Sequence, residues 1–299
     1  MRLVPAPQKR NPRGHNGIQV AMKNKRVLIT GASRGIGLAA AVAIAKEGAQ
    51  LVLVVRDPAR GEEAKRQVLA AGATSCDVLV GDLSVQADVR RIAKEYKERW
   101  STLDVLVNNA GAIFSTPQLS KDGHELTLAT NHLSYFLLTN LLLDVLKASA
   151  PSRIVNVSSE AHKSGRIDFA DLESKNGYSA MRVYGTSKLM NILFTKELAK
   201  RLEGTGVTAN SLHPGVITTG FGKNNKGLLA AVLRIAGPFM KKPEEGAKTT
   251  VYLATSADVE RVSGEYFQDS KKKYPSRVAQ DADIAARLWS ESEKLTSAA

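Results

Sequence analysis

Cysteine is almost absent: the chain of 299 residues holds one, Cys76. No intrachain disulfide framework and no thiolate metal cluster can form, so a reducing, cytoplasmic setting is expected and a metal site is not. Long apolar runs are missing too. Nothing approaches the roughly 18 consecutive apolar residues of a membrane span. The densest window, 133–146, is broken by Ser134, Thr139, Asn140 and Asp144 and reads as a buried globular helix. Acidic residues are missing from the first 26 positions, which carry seven basic ones. Much of the formal net charge of +13 therefore sits ahead of the fold. Residues 1–22 contain three prolines, no regular apolar period and no serine. They read as a flexible basic extension, without the apolar block of a secretory signal. Such an arm can touch nucleic acid or anionic lipid, but a solvated arm is the plainer expectation. No nucleic-acid partner is expected; peripheral membrane contact and a homo-oligomer are left open.

What is present is core material. Hydrophobic residues make up 43% of the chain, which excludes a disordered protein. Short β-branched runs at 26–30, 51–55, 77–80, 105–107, 153–157, 207–212 and 265–267 alternate with helical patterns. The helices fall at 35–47, 58–71, 85–100, 123–146, 181–202 and 243–255, with one more at 281–294. Asp57 before Pro58 reads as a helix cap. Continuous apolar strands separated by helices imply a parallel sheet covered on both faces. No linker, repeat or low-complexity stretch divides the chain between 25 and 270. The expectation is an α/β fold: a single doubly wound (Rossmann) parallel sheet of about seven strands, within one domain spanning 23–299.

The first strand runs into Thr30-Gly31-Ala32-Ser33-Arg34-Gly35-Ile36-Gly37. Glycine suits a tight turn, close approach of backbone to a phosphate, and close packing of helix on strand. The following helix N-terminus offers unpaired N–H groups and partial positive charge to a pyrophosphate. An ordinary glycine-rich turn is the alternative, and the position straight after the first strand argues against it.

The Gly-x-x-x-Gly-x-Gly spacing resembles that of the short-chain dehydrogenase/reductase family. Asn108-Asn109-Ala110-Gly111, Tyr184-Gly185-Thr186-Ser187-Lys188 and Pro214-Gly215 match it further, in the family's order. The resemblance covers about residues 24–270. It is nearest to the retinol-dehydrogenase-like branch, on Thr130-Asn131-His132-Leu133, on the run from Arg153 to Ser159 followed by Ala161-His162, and on Ser187-Lys188-Leu189 through Asn191-Ile192-Leu193-Phe194.

Tyr184 and Lys188 are four apart and share a helix face. A phenol of pKa about 10 is a poor proton donor or acceptor at neutral pH, and a nearby ammonium lowers it. Alone, such a pair is common on surface helices. Ser158 and Ser159 end the fifth strand, where ligands of an open α/β sheet collect, and a hydroxyl there can orient a substrate oxygen. The resemblance favours Ser159, and makes Asn131 the fourth catalytic member, bending its helix and holding a water beside Lys188. Ser159 precedes Tyr184 by more than the family's common spacing, so 162–180 is expected to loop out.

An acid ending the second strand would bind a ribose hydroxyl and select NAD. Val55 stands there and Arg56 follows, with Arg34 in the glycine loop. Guanidinium groups suit a 2′-phosphate, so NADP is expected ahead of NAD. The resemblance implies cofactor contacts from Gly31, Ser33, Arg34, Gly35, Ile36, Gly37, Arg56, Asp82, Leu83, Asn109, Ala110, Gly111, Tyr184, Lys188, Pro214, Gly215, Val216 and Thr218. Segment 219–242 has an apolar face over Leu228, Leu229, Val232, Leu233, Ile235, Phe239 and Met240. It reads as a substrate lid, a packing helix or a membrane-surface helix. The expected activity is NADP-dependent interconversion of a hydrophobic aldehyde or ketone and its alcohol, a carbonyl reductase or alcohol dehydrogenase. A nucleotide-sensing protein with little turnover and a basic nucleic-acid or membrane-surface binder are the rivals.

Overall fold

The computed structural model describes residues 22–215 and 242–297 of the chain. Val216, Thr218 and nearly all of the expected lid lie outside the described residues, as does the basic extension up to residue 21. Its last residue, Met22, is buried in the core. Eight strands are described: β1 (Arg26–Thr30), β2 (Gln50–Val55), β3 (Ser75–Val80), β4 (Val105–Asn108), β5 (Ser152–Val157), β6 (Val207–His213), β7 (Tyr266–Gln268) and β8 (Lys271–Lys273). They form one sheet in the order β3-β2-β1-β4-β5-β6-β7-β8, parallel up to β7. The order reverses between β1 and β4, and the crevice at such a reversal is where ligands of doubly wound sheets bind.

The helices are α1 (Gly35–Ala45), α2 (Pro58–Ala70), α3 (Gln86–Arg99), α4 (Ser134–Ala148), α5 (Ala180–Arg201), α6 (Pro243–Thr255) and α7 (Ala282–Ser297). Strand side chains alternate between the two faces. Leu28, Val52, Val54, Leu106 and Ile154 pack with Ile92 of α3, Leu138 of α4 and Phe194 of α5. Val27, Ile29, Leu51, Leu53, Val105 and Val107 pack with Ile44 of α1, Val68 of α2 and Leu253 of α6. Burying each such side chain stabilises the fold by about 1.5–3 kcal/mol. Asp57 caps α2 as expected, accepting from the Arg60 N–H at 3.2 Å.

Two features depart from the sequence reading. The eighth strand was not expected: β8 is three exposed lysines without apolar pattern, folded back antiparallel onto β7. Asp269 and Ser270 make that turn with positive φ, and the lysines blunt the sheet edge. The long helix expected at 123–146 begins later. A short helical turn (Leu126–Leu128) passes through a π-helical turn (Ala129–Leu133) into α4. The last helix, α7, forms where it was expected and is firmly docked. Trp289 stacks on Phe194 at 5.8 Å and meets Phe136 edge-on at 4.9 Å, while Leu288 packs among Leu189 and Ile192 of α5.

Candidate active site

The carboxyl ends of β1 and β4 are stitched together through Thr30. Its hydroxyl accepts the backbone N–H groups of Asn109 (2.9 Å) and Ala110 (3.0 Å). The Asn109 amide returns a bond to the Thr30 carbonyl at 2.8 Å. Gly31 turns away with φ of 66°, and a Cβ there would lie 2.8 Å from the Ala110 Cα. A Cβ on Gly37 would lie 2.5 Å from the Gly31 carbonyl oxygen. The glycine loop is thus held tight against the Asn109-Ala110 turn, leaving the start of α1 facing the crevice. Arg34 stands at its N-cap and gives no side-chain cap, so the first-turn N–H groups have no capping side chain. That start, with Ser33, Gly35, Ile36 and Gly37 around it, offers the N–H donors and partial positive charge that a dinucleotide pyrophosphate would need.

Across the crevice, α5 brings Tyr184 and Lys188 to the ends of β5 and β4. The Lys188 ammonium donates to the Val157 carbonyl at 3.0 Å and lies 5.7 Å from the ring centres of both Tyr184 and Tyr135. Ser159, just past β5, places its hydroxyl on the Tyr184 phenol. Ser158 instead donates to the Lys188 carbonyl at 2.7 Å. Asn131 is fully buried in the π turn. Its Oδ1 accepts from the Ala112 N–H at 2.8 Å, and its amide donates to the Ala112 carbonyl at 2.9 Å and to Ser187 Oγ at 3.0 Å. Its side chain therefore fixes the loop after Gly111 rather than reaching into open space. A π turn leaves one carbonyl without its usual partner. Here the Ser134 hydroxyl donates to the Thr130 carbonyl at 2.7 Å.

The electrostatics correct one expectation. An ammonium beside Tyr184 was expected to lower its pKa. Burial instead pushes the phenol up to about 12, and only the Ser159 hydroxyl works the other way. Burial also pulls Lys188 down to about 7, so near neutral pH its charge is only partly present. Desolvation outweighs attraction because both groups share one water-poor site.

The rim of the crevice beyond the second and third strands is different. Arg56 is 72% exposed and lies 4.0 Å from Asp82, whose Oδ1 accepts from the Ser84 N–H and hydroxyl. Leu83 is nearly buried beside it. Pro214 and Gly215 close the sixth strand's end, with Gly215 at φ of 92°. A groove of about 570 Å³ lined by Arg90, Phe136, Asn140 and Glu293 lies along α3, α4 and α7 and includes none of these residues.

Segment 162–180 forms the expected loop ahead of α5, without helix or strand between Ser164 and Ala180, and it packs back onto the fold. It folds back through a 3₁₀ turn (Glu160–Ser164) against α5. Gly165 and Gly185 make this possible, since a Cβ on Gly165 would lie 2.5 Å from the Gly185 carbonyl oxygen. Further along, Glu173 binds His124 at 2.8 Å and the Glu125 N–H at 2.6 Å, and the Tyr178 hydroxyl donates to the Phe114 carbonyl at 2.9 Å. Sequence reasoning missed Glu173, Tyr178, Gly165 and Tyr135, whose hydroxyl donates to the Ala110 carbonyl at 2.8 Å. The tyrosines and Glu173 carry no local pattern, whereas the glycine just ahead of a long insertion was a usable signal.

Comparison with known proteins agrees with this geometry. The model of the short chain dehydrogenase family matches residues 25–227. The chain is 44% identical to mouse retinol dehydrogenase 14, covering 97% of this chain and 90% of that protein. It is 42% identical to human retinol dehydrogenase 12, covering 92% and 87% respectively. Among solved structures, an uncharacterised protein from Mycobacterium paratuberculosis is 34% identical, with a TM-score of 0.76 over 94% of this chain and 96% of that one. The Pseudomonas aeruginosa RhlG/NADP complex is 28% identical, with a TM-score of 0.67 over 83% and 95%. The chain belongs to the short-chain dehydrogenase/reductase family, is retinol-dehydrogenase-like, and is an NAD(P)-dependent oxidoreductase.

Proposed function

We propose that this oxidoreductase uses NADP and interconverts a hydrophobic aldehyde or ketone with its alcohol. The observation that carries the reading is the Ser159 hydroxyl on the Tyr184 phenol, beside Lys188 and across the crevice from the glycine loop. When bound, the dinucleotide gives or takes a hydride at its nicotinamide ring. The chain's residues handle the proton. In reduction, Ser159 holds the substrate oxygen and Tyr184, protonated at neutral pH, supplies the hydrogen ion that turns it into a hydroxyl. Lys188 stands behind Tyr184, and Asn131 braces the loop that carries Gly111. In oxidation Tyr184 takes the proton back.

NADP is favoured by Arg34 and Arg56, by Val55 where a ribose-binding acid would stand, and by the engagement of Asp57 as a helix cap. Asp82, Leu83, Asn109, Ala110 and Gly111 stand along the crevice for the adenine and ribose portions. Val216 and Thr218 belong to the same reading by family resemblance. The retinol dehydrogenases among its relatives support a long apolar alcohol or aldehyde. A cytoplasmic location, with which the lone buried thiol of Cys76 is compatible, belongs to the same proposal and is tested by cell fractionation.

The test is cofactor consumption with NADPH and NADH against a panel of aromatic and long aliphatic aldehydes. Turnover of apolar aldehydes with NADPH preferred is expected. Binding of NADPH without turnover of any member would make the chain a nucleotide sensor. Preference for NADH would overturn the cofactor assignment.

A further inference from the structure

His132 follows Asn131 in the π turn, and both side chains point inward. His132 is 1% exposed and edge-on to Phe194. Its Nδ1 faces the Asn191 Oδ1 at 3.4 Å, and its Nε2 meets the Ser292 hydroxyl of α7 at 2.8 Å. Asn191 lies three residues beyond Lys188 on α5 and is fully buried. Its amide donates to the Val157 carbonyl at 3.3 Å, the same carbonyl that accepts the Lys188 ammonium. A chain of buried contacts thus runs from the C-terminal helix to the lysine: Ser292, His132, Asn191, the Val157 carbonyl, Lys188.

The number of protons limits this chain to two arrangements. Burial pulls His132 down to about 4, so its ring is neutral at working pH and carries one N–H. If the proton is on Nδ1, it bonds Asn191 Oδ1, which leaves the Asn191 amide free to donate to Val157. Nε2 must then accept from Ser292. If the proton is on Nε2, a bare Nδ1 faces Asn191 Oδ1, and the amide must flip and turn an oxygen towards the Val157 carbonyl. The Ser292 hydroxyl has a choice too, because the Leu288 carbonyl lies 2.8 Å away. Tyr135 and Tyr184 are the titratable groups that face Lys188 from α4 and α5.

We propose that His132 and Asn191 are positioning residues for Lys188, with Asn191 setting the His132 tautomer on which that positioning depends and Ser292 on the C-terminal helix completing the network at Nε2. This inference rests on the oxidoreductase reading of Lys188, but its first test does not. Histidine ¹⁵N NMR of the full chain reports the tautomer directly. Nδ1–H is expected at His132 in the wild type and in Ser292→Ala, and a shift towards Nε2–H, donated to the Ser292 hydroxyl, in Asn191→Leu. An Nε2–H wild type overturns the proposal whether or not a substrate is known.

The second test is the pH profile of kcat with NADPH and the best aldehyde. Ser292→Ala and Asn191→Leu should move the limb that reports the Tyr184–Lys188 pair by about one pH unit, a tenfold change in its proton equilibrium. KM should change by less than about twofold if the effect passes through Lys188 alone. Ser292→Thr restores the hydroxyl and should restore the wild-type profile. Should Asn191→Leu fail to fold, the two Ser292 variants carry the test alone. Loss of activity in proportion to thermal stability, with the profile unmoved, would reduce the network to ordinary core packing.

Discussion

The two cationic ends of the crevice live under opposite conditions. Arg56 at the cofactor rim is mostly in water, and its 4.0 Å approach to Asp82 is of the kind that contributes about 0–1 kcal/mol. Lys188 at the catalytic end is 2% exposed and is held by one carbonyl rather than a counter-ion. The first charge costs the fold almost nothing and the second costs a good deal. A charge meant to grip an anion can stay hydrated until the anion arrives. A group that works beside a buried phenol sits where water is not, loses part of its charge there, and has to be held in place by the rest of the fold.

The largest expected effect lies at the buried end. Tyr184→Phe removes the proton donor while keeping the ring, and kcat should fall by about 10²–10⁴-fold. The thermal midpoint should barely move. Full turnover in that variant would end the proton-transfer scheme. Lys188→Met should separate activity from stability. Loss of the ammonium should lower kcat on the order of 10²-fold, while removal of a desolvated charge should stabilise the fold by about 1 kcal/mol or more at pH 7.

The sign follows from proton binding. The folded-state value of Lys188, about 7, lies below its ordinary 10.5. Between those values the unfolded chain binds the proton and the folded chain does not, so stability falls as pH drops through that window. The wild type should therefore gain stability from pH 7 towards pH 10, and Lys188→Met should show a flatter curve in denaturant titrations. Above pH 10 Tyr184 works in the other direction, since its folded-state value of about 12 exceeds its ordinary 10.0 and the unfolded chain gives up its proton first. A Met variant less stable than wild type at pH 7 would mean that the bond to Val157 outweighs desolvation.

The same contrast explains what the sequence could tell. The glycine loop is legible because its chemistry is local: Gly31 and Gly37 meet a requirement set by a strand, a turn and a helix start. Tyr184 and Lys188 are legible as a one-turn pair, and the alternation of apolar strands with helices gives the sheet and its layers. The direction of the Tyr184 shift was not legible, because desolvation depends on everything packed around the phenol. The docking of 162–180 was hidden for the same reason: Glu173 meets His124 across 49 residues and Tyr178 meets Phe114 across 64. The π turn leaves no mark in a residue pattern that also suits an ordinary helix, and β8 is held by a turn and a neighbour rather than by its own lysines.

The smallest effect on stability should come from the rim, where the effect on selectivity is still measurable. Arg56→Asp should weaken NADPH binding by about 10–100-fold, the loss of one charge-assisted contact together with a new repulsion. NADH should be affected far less, because it presents no 2′-phosphate. Fluorescence titration with both nucleotides reads the difference. The unfolding midpoint should stay within about 0.5 kcal/mol of wild type, as for other exposed substitutions. Equal weakening of both nucleotides would place Arg56 on a part of the cofactor they share. A large drop in stability would mean that the rim is built into the fold as tightly as the catalytic end, and the contrast between the two would disappear.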